Sequence, residues 1–206
     1  MAIVLKFLKE IIAAVVAYAL GNISPASIIA KANHVDIRSE GSGNPGTTNV
    51  IRVLGLKEGL KTLLLDMIKS FIAVKIGFTL LGSIGGMIGF AGVLLGHCFP
   101  VIYKFKGGKG VAAALGAALA LTWPAAMVAF IVAVIVLLAT KKMSLGSIAA
   151  AVAFPPLCLF YTPEYFFFSI GVAVFLIIMH IPNIKRLKNG EESTLDIKAK
   201  IKEMNL

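Results

Sequence analysis

Between residues 111 and 180 the chain runs through two long tracts in which only Lys141, Lys142 and Glu164 carry charge. Tracts of this kind are far too apolar to face water, and a helix needs about 20 such residues to cross the ~30 Å hydrocarbon core of a bilayer. The rest of the chain agrees. Of 206 residues 58% are hydrophobic and 15% charged, where a soluble domain has about a quarter charged. This excludes a disordered chain, a collagen, a coiled coil and a disulfide scaffold. The net charge of +10 would suggest nucleic acid in a soluble protein. Here the charges sit between apolar runs, which is the pattern of membrane topology, so no nucleic-acid partner is expected. Cys98 and Cys158 lie in separate apolar stretches and lack metal-ligand spacing.

Residues 11–29, 60–81 and 84–101 are further candidate spans. Lys6 and Lys9 followed by Ala17-Tyr18-Ala19 imitate a signal peptide, but the apolar character continues to Ala30, so the first span reads as uncleaved. The long tract 111–140 is interrupted by Thr122-Trp123-Pro124, and 143–180 by Tyr161-Thr162-Pro163-Glu164. Proline ends a helix and disfavours helix in the residue before it. Each tract therefore divides, giving an all-α integral membrane bundle of seven spans, with five as the alternative. Charge favours seven. The connections at 82–83, 122–125 and 161–165 contain no Lys or Arg, while the opposite ones hold Lys31, Arg38, Arg52, Lys57, Lys104, Lys106, Lys109, Lys141, Lys142, Lys185, Arg186 and Lys188. Positive loops stay in the cytoplasm. The N-terminus is then outside, against the sense of Lys6 and Lys9, and the C-terminus is cytoplasmic. The expected organisation is one polytopic domain, 1–206, with functional segments at about 36–55, 103–111 and 180–192 and a polar tail at 193–206.

Within the spans, Gly85, Gly89, Gly92 and Gly96 share one helix face. Small residues so spaced let helices approach closely, so this helix is expected at the centre of the bundle, with a dimer seam as the alternative. Asp66 and Lys69 stand at i and i+3 and are expected to pair, either to orient a loop or to act in catalysis.

Three polar segments carry the chemistry. The first runs from Arg38 to Arg52 and contains Gly41-Ser42-Gly43-Asn44-Pro45-Gly46-Thr47-Thr48-Asn49. Its glycines let backbone amides converge, Asn44 before Pro45 reads as a helix cap, and Arg52 can clamp a phosphate. The second, Phe105-Lys106-Gly107-Gly108-Lys109-Gly110, enters a helix and reads as a second anion cradle. It is not a nucleotide loop, because Gly110 stands where that pattern needs Ser or Thr. The third leaves the last span with His180, Asn183 and Arg186 at spacing three, followed by Glu192. Histidine is the natural proton carrier near neutral pH. Ser144 begins a helix on the same face, as a cap or a further phosphate donor, and His97 reads as structural, steering the loop after it. The residue pattern offers no metal site.

Two anion cradles and a proton carrier at a lipid–water boundary suit acyl transfer to a phosphorylated acceptor. A small transporter of phosphate-bearing solutes is the rival reading, although transporters place polar groups near mid-membrane with internal repeats. A scaffold with a basic face for anionic lipids would explain the lysines but not the glycine loops.

From Tyr18-Ala19-Leu20-Gly21 to Glu192 the chain resembles the bacterial acyl-phosphate glycerol-3-phosphate acyltransferases of the PlsY type. The resemblance rests on Gly41-Ser42-Gly43-Asn44 with Thr48-Asn49-Val50, on Gly96-His97 with Phe99-Pro100-Val101 and Phe105 to Gly110, and on His180 with Asn183-Ile184, Arg186-Leu187, Gly190 and Glu192. Pro45 and Thr47 depart from the usual wording. The resemblance implies seven helices in the bacterial inner membrane, a cytoplasmic active site, no cofactor and no metal. It implies transfer of an acyl group from acyl phosphate to the sn-1 hydroxyl of glycerol 3-phosphate, giving lysophosphatidic acid and phosphate. Ser42, Arg52 and Lys109 would grip glycerol phosphate. Thr48, Asn49, Ser144 and the amides of Gly107, Gly108 and Gly110 would bind acyl phosphate. His180 and Asn183 would orient the attacking hydroxyl, and Gly43, Asn44, Lys104, Arg186 and Glu192 would complete the substrate-binding set. Partners are the two substrates and membrane lipid, with a monomer as the default state.

Overall fold

The computed structural model describes residues 1–197 and 201, so most of the tail expected at 193–206 lies outside the described residues. Every regular element among the described residues is a helix, as a membrane interior demands of a chain without a closed barrel. The chain divides into two compact units, Met1–Leu121 and Thr122–Leu206.

In the first unit, α1 (Ala2–Asn22), α2 (Pro25–Ala32) and α3 (Thr47–Leu54) precede the long α4 (Leu56–Cys98), and α5 (Val111–Leu121) closes it. Helix α4 is two arms: Leu81 and Gly82 have non-helical backbone, with Gly82 at φ 61°. A turn was expected at 82–83, and glycine supplies its positive φ without strain. The arms fold back on each other so tightly that a Cβ on Gly77 would collide with the carbonyl of Gly85. Farther along the second arm, Gly92 meets Ala17 and Gly96 meets Tyr18. The second arm thus lies between the first arm and α1. The glycine stripe is used inside the first unit, at the contacts with the first arm and with α1. Under the first polar loop, Ala26, Ala30, Ile37 and Val50 form a small core flanked by Val53 and Leu54.

In the second unit, α6 (Trp123–Thr140) and α7 (Met143–Tyr161) are followed by α8 (Phe166–Met179) and α9 (Ile181–Lys188). The breaks fall where proline and polar residues predicted them, at Thr122 and Thr162, and the two threonine hydroxyls share a hydrogen bond of 2.7 Å. Trp123, Phe160, Tyr161 and Phe167, beside these breaks, are exposed, as aromatic side chains are at a membrane boundary. Helices α8 and α9 meet at His180 with a bend of 56°. The segment after α9 returns to the α6–α7 turn, where the Leu195 amide donates to the Lys141 carbonyl at 2.7 Å.

Three helices among the described residues are long and apolar enough to cross a bilayer: Leu56–Tyr103 taken whole, Trp123–Thr140 and Met143–Tyr161. The bent pair made of Pro163–Met179 and Ile181–Lys188 would be a fourth. Helix α5 has only 11 residues, a rise of about 16 Å. The chain is a membrane protein by these helices.

Candidate active site

The first glycine loop is built around Asn49. This side chain is buried in α3, and its carboxamide is committed to the loop. Nδ2 donates to the carbonyls of Ile37 at 3.1 Å and Glu40 at 2.9 Å, while Oδ1 accepts the Ser42 amide at 2.8 Å. Gly41, at φ 59°, lies so close to Oδ1 that a Cβ there would collide with it. The carboxamide expected to bind substrate instead organises the loop that presents Ser42. The helix start also differs from expectation. Asn44 accepts the Gly46 amide through its backbone carbonyl at 2.9 Å, forming a turn. The N-cap of α3 is therefore Gly46, with no side-chain cap. Thr48 and Arg52 both lie in α3, one turn apart, and Ser42 is exposed.

The second glycine loop hangs from the end of α4. A helix leaves its last carbonyls without partners, and here the Gly107 amide donates to Cys98 O at 3.0 Å and the Gly108 amide to His97 O at 3.1 Å. A Cβ on Gly107 would collide with both carbonyls, and one on Gly108 with the His97 ring. Glycine is required here because the loop presses on a helix end. The two amides expected at a phosphate are occupied within the chain, for the same reason. Lys104 and Phe105 both have positive φ, 54° and 60°, which leaves Lys104 exposed at the corner. Lys109 and Gly110 follow immediately before α5.

The structure brings these two loops together. Arg38 Nη1 donates to the Lys106 carbonyl at 2.6 Å, and the guanidinium lies 4.8 Å from the centre of the Tyr103 ring. Arg38 Nη2 and the Thr47 hydroxyl are buried without a hydrogen-bond partner among the described residues. Buried donors of this kind require an explanation, and an anionic ligand is one. Arg38 was not among the expected site residues. The two positions are 68 residues apart in sequence, and no spacing pattern connects them.

The second unit holds a separate constellation. His180 stands at the α8–α9 junction with Nδ1 2.8 Å from Leu176 O. A carbonyl only accepts, so Nδ1 carries the hydrogen and Nε2 holds the lone pair of the uncharged ring. Glu192 is buried and binds two residues of one α9 face at once: Oε1 accepts from Asn183 Nδ2 at 2.7 Å and Oε2 from Arg186 Nε at 2.8 Å. The spacing-three reading therefore holds for Asn183 and Arg186, while His180 occupies the bend. Burial raises the Glu192 carboxyl, but hydrogen bonds from Asn183 and Arg186, with the Arg186 charge, hold it below its ordinary value. Ser144 is not the cap of α7, which begins after Lys142. It lies one residue inside the helix, buried.

Comparison with known proteins identifies the family. The family description "Glycerol-3-phosphate acyltransferase" matches residues 11–190. A glycerol-3-phosphate acyltransferase from Thermoanaerobacter sp. (strain X514) is 42% identical over 195 residues, 93% of this chain and 98% of that protein. One from Aquifex aeolicus (strain VF5) is 40% identical over 191 residues, 90% of this chain and 98% of that protein. The crystal structure of PlsY, an integral membrane glycerol 3-phosphate acyltransferase, in its glycerol 3-phosphate form superposes with a TM-score of 0.86 at 36% identity, covering 91% of this chain and 96% of that one. Its lysophosphatidic acid form gives 0.84 at 35% identity, with 91% and 95% covered. With the glycine loops, the His180 segment and nearly the whole length matched, this chain belongs to the glycerol-3-phosphate acyltransferase family and is of the PlsY type.

Proposed function

We propose that the protein transfers an acyl group from acyl phosphate to the sn-1 hydroxyl of glycerol 3-phosphate. The products are 1-acyl-glycerol 3-phosphate and inorganic phosphate, the entry to phospholipid synthesis. The observation that carries this reading is the pair of glycine loops joined by Arg38, with two buried donors left unpartnered beside them. It is supported by the relatives' names and by PlsY structures with glycerol 3-phosphate and lysophosphatidic acid.

An acyl phosphate is an activated mixed anhydride, so its leaving group departs easily. The enzyme must hold two anions together against their repulsion and aim a hydroxyl at a carbonyl. Ser42, Arg52 and Lys109 hold the glycerol phosphate, with Gly43, Asn44 and Lys104 lining it. Thr48 and the Gly110 amide bind the acyl phosphate, and Ser144 is a further phosphate donor. Asn49, Gly107 and Gly108 act one step back, shaping the loops. His180 and Asn183 orient the hydroxyl, and Arg186 and Glu192 hold Asn183. The hydroxyl oxygen bonds to the acyl carbon and the bond from that carbon to the phosphate oxygen breaks. The proton leaves to His180 Nε2 or to a substrate phosphate oxygen.

The proposed topology has seven crossings: α1, the two arms of α4, and α5 to α8. The N-terminus is outside, and the loops at 31–55, 99–110, 141–142 and 180–192 face the cytoplasm of a bacterial inner membrane. The bilayer must thin at the short α5. Purified protein mixed with palmitoyl phosphate and glycerol 3-phosphate tests the reaction, and lysophosphatidic acid with an equal amount of phosphate is expected. Uptake of glycerol phosphate into liposomes without new lipid would instead favour a transporter.

A further inference from the structure

A buried charged cluster lies beneath the second glycine loop, outside the set of residues given substrate roles. Asp66, Lys69 and His97 are all buried. Lys69 Nζ is 2.8 Å from Asp66 Oδ1 and donates to Gly21 O at 3.2 Å and Ile23 O at 2.5 Å. These carbonyls belong to the C-terminal end of α1, where carbonyls lack helical partners and a cation is favoured. The third hydrogen of the ammonium is shared with His97. His97 Nδ1 lies 3.2 Å from Asp66 Oδ1 and 3.1 Å from Lys69 Nζ. An ammonium only donates, so Nδ1 accepts the hydrogen from Lys69 and Nε2 carries the ring's own hydrogen. That bond fixes the ring, and Nε2 then faces Gly108, where a Cβ would collide with it.

One cluster therefore sets several things at once: the end of α1, both arms of α4, and the plane of the His97 ring on which Gly108 rests. The Tyr18 hydroxyl donates to Phe99 O at 2.8 Å, which fixes the start of the same loop. Lys109 is the next residue after Gly108. A charged group inside a membrane protein is costly and is retained for function, and breaking one member of a buried pair leaves an uncompensated charge.

We propose that His97, held by the Asp66–Lys69 pair, is a positioning residue for the acyl transfer: its ring is the seat of Gly108 and so sets where Lys109 presents its ammonium to glycerol 3-phosphate. The assignment rests on the reaction proposed above. A misplacement of about 1 Å costs up to ~10²-fold in rate, so His97→Ala raises KM for glycerol 3-phosphate by about 10-fold or more. KM for acyl phosphate stays close to the parent's.

Gly108→Ala supplies the second measurement. Alone it drives a methyl group into the ring and lowers kcat/KM by about 10-fold or more. Combined with His97→Ala, where the methyl has room, it recovers part of that loss. Such non-additivity is the signature of residues in contact. Three results would overturn the inference: His97→Ala kinetics equal to the parent's, a fall in thermal midpoint with both KM values rising together, or losses in the double variant that simply multiply. Absence of lysophosphatidic acid from the parent protein in the same assay would remove the reaction, and the positioning role with it.

Discussion

The glycine turns of the first unit are held directly by neutral groups, and the polar segment of the second by a carboxylate. In the first unit the organisers are the Asn49 carboxamide and the amides of Gly107 and Gly108. In the second, Glu192 holds Asn183 and Arg186. The difference follows from charge. A carboxylate at a turn proposed to receive phosphate repels the ligand unless a cation neutralises it, as Lys69 does for Asp66 beneath the second loop, since like charges a few ångströms apart interact strongly in a poorly solvated site. A segment that aims a hydroxyl carries no such restriction, and there a carboxylate can fix an amide and a guanidinium together.

The largest effects are expected where charge meets substrate. Arg52→Ala and Lys109→Ala should each lower kcat/KM by about 10²–10³-fold with unchanged circular dichroism. Full activity of both in reconstituted membranes would break the assignment of the first unit as the anion-binding half. Next come the organisers. Asn49→Ala leaves the Ser42 amide and two carbonyls without partners, at a cost of about 1–3 kcal/mol for a stranded buried group, read as a lower thermal midpoint. Asn49→Asp keeps the acceptor but turns both donors into a charge facing carbonyls, and should be worse than Ala in both stability and activity. If Asp were the milder change, the preference for a neutral organiser would be wrong.

A smaller and more specific effect concerns pH. The Glu192 carboxyl is held below its ordinary 4.5. A lowered value contributes stability that is present above about pH 4.5 and lost as pH falls through the folded value. The difference in thermal midpoint between the parent protein and Glu192→Gln should therefore shrink as pH is taken below 4.5. The difference between the parent and Asn49→Ala should not follow that course, because no titrating group holds that carboxamide. Parallel pH curves for the two would dissolve the contrast. The smallest expected effect is none: a chelator should leave product formation unchanged, and metal-reversible inhibition would count against the donor set proposed for both units.

Much of the fold was legible because helix breaks have local causes. Gly82, the Trp123-Pro124 pair and Thr162-Pro163 mark helix breaks, whereas Pro155 and Pro156 lie inside α7, and the Asp66–Lys69 pairing followed from spacing alone. The glycine stripe was legible as a close-packing face, though not that Gly85 would meet Gly77 while Gly96 met α1. At the candidate site, the right segments were legible and several roles were not. Asn49, Gly107 and Gly108 read as ligand contacts because a hydrogen-bond donor has the same identity whether it faces a substrate or its own chain. Arg38 has no site role in the sequence reading because its partner is a backbone carbonyl, which any residue supplies.

What the sequence by itself determined is therefore the class and the residue inventory: an all-helical membrane chain with positively charged glycine loops and a polar segment that begins at His180. These follow from composition, periodicity and residue type, which act over a few neighbours. What only the tertiary structure decided is the division of labour within each segment. Burial forces every polar group to find a partner, and the nearest partner is set by which helix ends pack together, a contact between residues far apart in the chain. That is why the end of α4 claims the Gly107 and Gly108 amides, and why Glu192 closes on α9.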